Sequence, residues 1–223
     1  MHIPNIARGA VSLLALFSPW DKSQWVASDD TVRGGISHSY LDVIPPKTPD
    51  NPFSQSIAKF YGTLDYATLD GSGFASQRTR DVDDWSGLDL SAYDRLLLEI
   101  PYTDGKIYTI NVRDTVAAPS KDGKAQPTLN WAYDFQLPAT KKGELSLTQV
   151  IIRFKDLVPT IRGTIQNDTE PLDLTHIVGA SIMIRSFETT QDGDFELRIK
   201  SVAALGQDCE PPKVVFSCED LCG

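Results

Sequence analysis

An all-β fold, a sandwich of two sheets, is what this sequence predicts, on three observations. Apolar and polar residues alternate through most of its runs, the period-two pattern that turns one side of a strand toward a core. Asp-Gly pairs and proline clusters separate those runs at short intervals. Stretches with a helical apolar repeat are almost absent. A chain of 223 residues buries roughly 70% of its unfolded surface on folding, so a two-layer core is available without covalent staples.

The elements follow in order. Residues 37–44 read as a strand entered from a loop, and Ala58, Phe60, Gly62 and Leu64 mark one face of the next. Residues 96–100, 150–154 and 181–187 are apolar on both faces, as expected of central strands covered on both sides or packed under a loop. Tyr108, Ile110 and Val112 face one way while Thr109, Asn111 and Arg113 face the other. Leu129, Trp131, Tyr133 and Phe135 alternate with Asn130, Ala132 and Asp134, and Phe195, Leu197 and Ile199 with Glu196, Arg198 and Lys200. Thr103-Asp104-Gly105-Lys106 and Gln191-Asp192-Gly193-Asp194 each set an Asp-Gly pair between two strand patterns, which predicts two hairpins. Pro45, Pro46, Pro49 and Pro52 make an extended loop, and residues 119–127 a second, polar one. No repeat is present. The chain divides into an N-terminal segment over 1–19 leading into the sandwich, a single β-sandwich domain over 20–205, and a cysteine-containing tail over 206–223. Residues 214–217 of that tail are an isolated apolar run, either part of a loosely held end or an extra edge strand.

The net charge of −9 argues against nucleic acid as the main partner, because phosphate binding needs a basic surface. Cys209, Cys218 and Cys222 all fall in the tail and cannot staple the body, which suits a reducing compartment. No apolar run reaches the ~18 residues of a membrane span. Residues 10–17 resemble a signal-peptide core but lack small residues at the cleavage spacing, so secretion is disfavoured. Without secretion, the sequon Asn167-Asp168-Thr169 carries no meaning.

Catalytic constellations are missing. The sequence holds no G-x-S-x-G elbow, P-loop, dinucleotide fingerprint, H-E-x-x-H or EF-hand loop. The expectation is therefore a non-enzyme with no cofactor and no metal. Asp81, Asp83 and Asp84 could collect a hard cation, with a solvated acidic loop as the favoured alternative. The stretch SDDTVRGG, residues 28–35, draws more attention. Asp29 and Asp30 are neighbours whose side chains diverge in extended chain, which disfavours an acid/base pair. Arg33 is near enough to pair with one of them, and Gly34 and Gly35 permit backbone angles barred to other residues. The stretch thus reads as an ion-paired loop turning the chain into the strand at 37–44, where Gly35→Val would be costly if the site requires a positive φ.

Trp25, the run SDDTVRGGISHSYL (28–41), FYGTL (60–64) and GSGFASQRT (71–79) resemble the complex I intermediate-associated protein 30 family. The likeness continues through DLSAYDRLLLEI (89–100), DGKIYTINV (104–112), NWAYDF (130–135), VIIRFKDLVPTIRG (150–163) and GDFELRIKSV (193–202). Where many relatives carry an apolar residue before the glycine pair, this chain has Arg33. The resemblance implies a galactose-binding-like jelly roll and a non-enzymatic assembly factor. Its expected partners are complex I subunits or other assembly factors, in the mitochondrial matrix with the cytoplasm as alternative. The contact surface is expected on sandwich loops at one end, with Asp29, Asp30, Arg33, Phe74, Arg78, Trp131 and Arg162 as candidates. Gly34, Gly35, Asp104 and Gly105 are expected to shape turns. The competing expectation is a carbohydrate- or small-ligand-binding module outside mitochondria. Trp20, Trp25 or Trp85 would then offer an exposed ring, with packing against a loop as the alternative use of each.

Overall fold

Strands form where the alternation is strong. The computed structural model describes residues 13–80, 87–117, 121, 126–141, 143–207 and 209–212. The chain begins with β1 (Leu13–Ala15), β2 (Trp25–Ala27), β3 (His38–Ile44), β4 (Ile57–Leu64) and β5 (Phe74–Thr79). It continues with β6 (Arg95–Ile100), β7 (Tyr102–Thr103), β8 (Ile107–Arg113), β9 (Asn130–Gln136) and β10 (Thr148–Arg153). It ends with β11 (Val158–Ile161), β12 (Thr164–Ile165), β13 (Gly179–Arg185), β14 (Gly193–Ile199) and β15 (Ser201–Leu205).

One layer is a seven-stranded antiparallel sheet in the order β12-β11-β9-β8-β13-β5-β2. The other has two four-stranded halves, β3-β4-β14-β7 and β1-β15-β6-β10. These halves form one bent layer, because only Pro101 separates β6 from β7 and only Lys200 separates β14 from β15. Across the bend the Lys200 N–H donates to the Glu99 carbonyl at 2.8 Å. The product is a two-layer β-sandwich. In its core Phe60 and Phe195 of the bent layer lie 5.0 Å apart, and Tyr108 of the seven-stranded sheet meets them at 6.2 and 6.5 Å. Leu98, Ile184, Leu197 and Ile199 are fully buried around this cluster. Burial, with the nearby Asp104 charge, pushes the Tyr108 hydroxyl well up, so it stays protonated and donates to Asp104 Oδ1 at 2.9 Å. Near the N-terminal end of the described chain β1 pairs with β15, and the rings of Phe17, Trp20 and Trp25 pack together with centroids 5.0–5.6 Å apart.

Two sequence expectations need correction. The Asp-Gly pairs do not close hairpins. β7 belongs to the bent layer and β8 to the seven-stranded sheet, and the reverse holds for β13 and β14. Each pair therefore carries the chain over the core from one layer to the other. Asp104 ties its arch down by accepting the Lys106 N–H (3.0 Å) and the Glu196 N–H of β14 (3.1 Å), while Gly105 takes a φ of 89°. An Asp-Gly pair encodes a local reversal, and it is silent about which sheet the next strand joins. Among the described residues a two-residue hairpin does form at Arg162-Gly163, both left-handed at φ 53° and 80°, between β11 and β12; such turns match the strand twist. Nor is β10 covered on both sides: it is an edge strand, with Ile151 41% exposed, whereas β6 and β13 each have two neighbours. Asp81, Asp83, Asp84, Trp85, Cys218, Cys222 and residues 214–217 lie outside the described residues.

Candidate functional site

The SDDTVRGG stretch sits where the two layers meet. After β2 the Ser28 N–H still pairs with the Ser76 carbonyl of β5 at 2.8 Å, and then the chain leaves the sheet. From there side chains replace the ladder. Asp29 accepts the Ser39 N–H of β3 at 3.0 Å and the Ser39 hydroxyl at 2.7 Å, together with the Ser76 N–H of β5 at 2.8 Å. Asp30 accepts the Ser37 N–H and the Phe74 N–H, each at 3.0 Å. Gln77 of β5 returns the favour to β3 by donating to the Ser39 carbonyl at 3.0 Å. The free edge of β3 is thus satisfied at its start, around Ser37 and Ser39, from the opposite layer. Asp29 is 7% exposed and Asp30 0%. Hydrogen bonds to charged groups are worth roughly 1.5–3 kcal/mol each, and here they offset the desolvation of two carboxylates. Burial still pushes the Asp29 carboxyl up, against the bonds from Ser39 and Ser76 and with the Asp30 charge adding to the rise.

Arg33 pairs with neither aspartate, contrary to the sequence expectation. Residues 30–33 form a short 3-10 turn ended by Gly34 at φ 85°. The carboxylates are claimed by backbone N–H groups, and exposed Arg33 lies over the Phe74 ring at 5.9 Å. Gly35 has no positive φ either. Its role is space, because a Cβ there would lie 2.2 Å from Asp30 Oδ1. Above this clamp the tip presents Val32 at 82% exposure and Ile36 at 62%, beside Arg33.

The sequence matches the complex I intermediate-associated protein 30 family over residues 16–199. The chain belongs to this family. An uncharacterised protein of Schizosaccharomyces pombe is 36% identical to it over 214 residues, covering 94% of this chain and 89% of that protein. Among solved structures, the family 11 carbohydrate-binding module of Clostridium thermocellum, in complex with a β-1,3-1,4-mixed-linked tetrasaccharide, is similar with a TM-score of 0.58 at 15% identity. The match covers 89% of this chain and 98% of the module. The same family of module from the cellulosomal cellulase Lic26A-Cel5E also gives 0.58, covering 96% of its chain. At such identity the likeness establishes the sandwich fold.

In this complex I intermediate-associated protein 30 domain the candidate residues do not converge on one surface. Asp29, Asp30, Arg33 and Phe74 come together at the clamp. Arg78 is half-buried on β5 and donates to the Thr79 carbonyl at 3.2 Å. Trp131 is on β9, three strands from β5, and only 8% exposed with its ring in the core. Arg162 caps the β11–β12 hairpin, four strand spacings or about 19 Å from β5. Trp20 and Trp25, at 5% and 4% exposure, are core residues and offer no platform. The sequence search missed the outward face of β3-β4-β14-β7, where His38, Tyr40, Tyr61 and Tyr102 line a groove of about 480 Å³. The signal was available in the outward positions of SHSYLDV, where a tyrosine stands at a place alternation assigns to solvent.

Proposed function

We propose that this protein works without catalytic turnover, as a partner-binding factor in the assembly of mitochondrial respiratory complex I, acting in the matrix. Family membership over residues 16–199 carries the reading. The clamp supports it in physical terms. Two buried carboxylates hold the 30–33 turn against both layers, so the tip above them is presented with little freedom to lose on docking. That tip offers two exposed aliphatic side chains around one guanidinium, which suits a partner with an apolar cleft edged by a carboxylate.

The test is affinity capture from respiring cells with the C-terminally tagged chain, against a Val32→Asp/Ile36→Asp variant. Complex I subunits or their assembly factors are expected with the wild type and are expected to fall to background with the variant. Both side chains are solvent-exposed, so the variant should melt at the wild-type temperature. Capture of no such protein by the wild type sinks the assembly role, and full capture by the variant moves the contact away from the tip.

A further inference from the structure

The groove on the outward face of β3-β4-β14-β7 is built by strand register. Tyr40 stands opposite Tyr61, which stands opposite Glu196, while His38, Thr63 and Asp194 form the row beside them. The Tyr40–Tyr61–Glu196 row ends at Asp104, whose N–H donates to the Glu196 carbonyl at 3.2 Å. Four strands at ~4.8 Å spacing make a track about 14 Å long across the sheet. The groove is open to solvent along its length, with a volume of about 480 Å³. Tyr40, 51% exposed, tilts against Tyr61 at 5.4 Å and meets His38 edge-on at 5.6 Å. Tyr61 is anchored, donating to Asp42 at 2.7 Å, and that bond pushes its pKa up to about 12.

The charges decide what fits. Three carboxylates line the groove, Asp104, Asp194 and Glu196, which alone would suggest a cationic ligand. Yet the protein supplies its own cations to two of them, Glu196 and Asp104. Glu196 is bridged by Lys59 at 3.0 Å and Arg198 at 2.7 Å, and Lys106 stands 3.7 Å from Asp104. The ring faces are served as well: Lys59 lies over Tyr61 at 4.8 Å and Arg198 over Tyr102 at 5.1 Å. A basic peptide would have to displace these pairs and gain little in return. What stays open is the Tyr40 ring together with hydrogen-bonding groups along the track. Those are the Asp194 carboxylate, which takes the Thr63 hydroxyl at 2.7 Å, the Thr63 oxygen and the His38 ring. A flat C–H face against an aromatic ring, with hydroxyls reaching fixed polar groups at its rim, is the chemistry of an uncharged pyranose. We propose that this groove binds a short neutral oligosaccharide laid across β3, β4 and β14, with Tyr40 as its stacking platform. The site is separate from the Val32–Ile36 tip and does not rest on the assembly role.

Isothermal titration of the full chain with cellotetraose, maltotetraose and β-1,4-galactotetraose, each at millimolar concentration, tests this. A poly-arginine hexapeptide forms the parallel arm. At least one sugar is expected to bind. Loss of the platform in Tyr40→Ala should weaken that binding by about tenfold or more, while Tyr40→Phe keeps it. Both variants should melt with the wild type, since Tyr40 is exposed on an edge strand. The tip variant Val32→Asp/Ile36→Asp should bind sugar unchanged, which separates this site from partner docking. No heat from any of the three sugars with folded protein overturns the proposal. So does sugar binding that survives Tyr40→Ala, or binding of the peptide in place of the sugars.

Discussion

Asp29 shows how a residue that looks reactive in sequence can be architectural. Its two oxygens face three donors, Ser39 N–H, Ser39 hydroxyl and Ser76 N–H. Burial raises its pKa in the fold above the unfolded value of about 3.9. Its contribution to stability is therefore complete below about pH 4 and fades as pH climbs through the raised value. Asp21, Asp42, Asp65, Asp89 and Asp173 run the other way, lowered by bonds from the Ser23 side chain, the Lys22 side chain, the Thr68 backbone, the Ser91 side chain and the Thr175 side chain. They stabilise above their unfolded values and lose that as pH falls, but they are common to wild type and variant. The gap in urea midpoint between wild type and Asp29→Asn should thus be widest near pH 4 and smaller at pH 8. A gap that grows with pH would contradict the burial argument. The acidic pair was legible in the sequence; its partners, 7–47 residues away in the chain, were not, because pairing at that separation is settled by how the layers close.

At the scale of elements, the two glycines of the tip do different work. Gly34 ends the 30–33 turn in the left-handed region with nothing within 4 Å of its would-be Cβ, so Gly34→Ala should cost only about 1–2 kcal/mol of backbone strain. Gly35 admits the Asp30 carboxylate, and Gly35→Val should cost at least about 1–3 kcal/mol through overpacking, with further loss from the displaced buried bonds. Thermal or urea unfolding of the two variants checks the order; a larger effect at Gly34 would reverse the assignment. Most strands were readable from alternation, β4, β8, β9 and β14 among them. Readability failed where the deciding information is not local. Asp104-Gly105 and Asp192-Gly193 look like hairpin turns because the dipeptide specifies φ, while the layer joined by the next strand depends on contacts far along the chain. The apolar run at β10 looks central because Ile151 is as apolar as a core residue, although an edge strand leaves it in water. Tyr40 escaped notice because an aromatic in a strand is ordinarily read as packing.

The whole molecule is two layers joined by arches at their ends and by Asp29, Asp30 and Gln77 along one margin. Exposed strand margins recruit other chains, and folded proteins blunt them with charge, bulges or cover. Here the cover is a pair of carboxylates occupying the positions a neighbouring strand's carbonyls would take. Removing both in Asp29→Ala/Asp30→Ala leaves the N–H groups of Ser37, Ser39, Phe74 and Ser76 without acceptors, each loss costing roughly 1–3 kcal/mol. The variant should polymerise in a concentration-dependent way with rising thioflavin fluorescence at temperatures where the wild type stays clear; a soluble, merely unfolded variant would count against it. The acids that suggested chemistry in the sequence would then be guards against self-association, keeping one protein's sheets from being finished by another's.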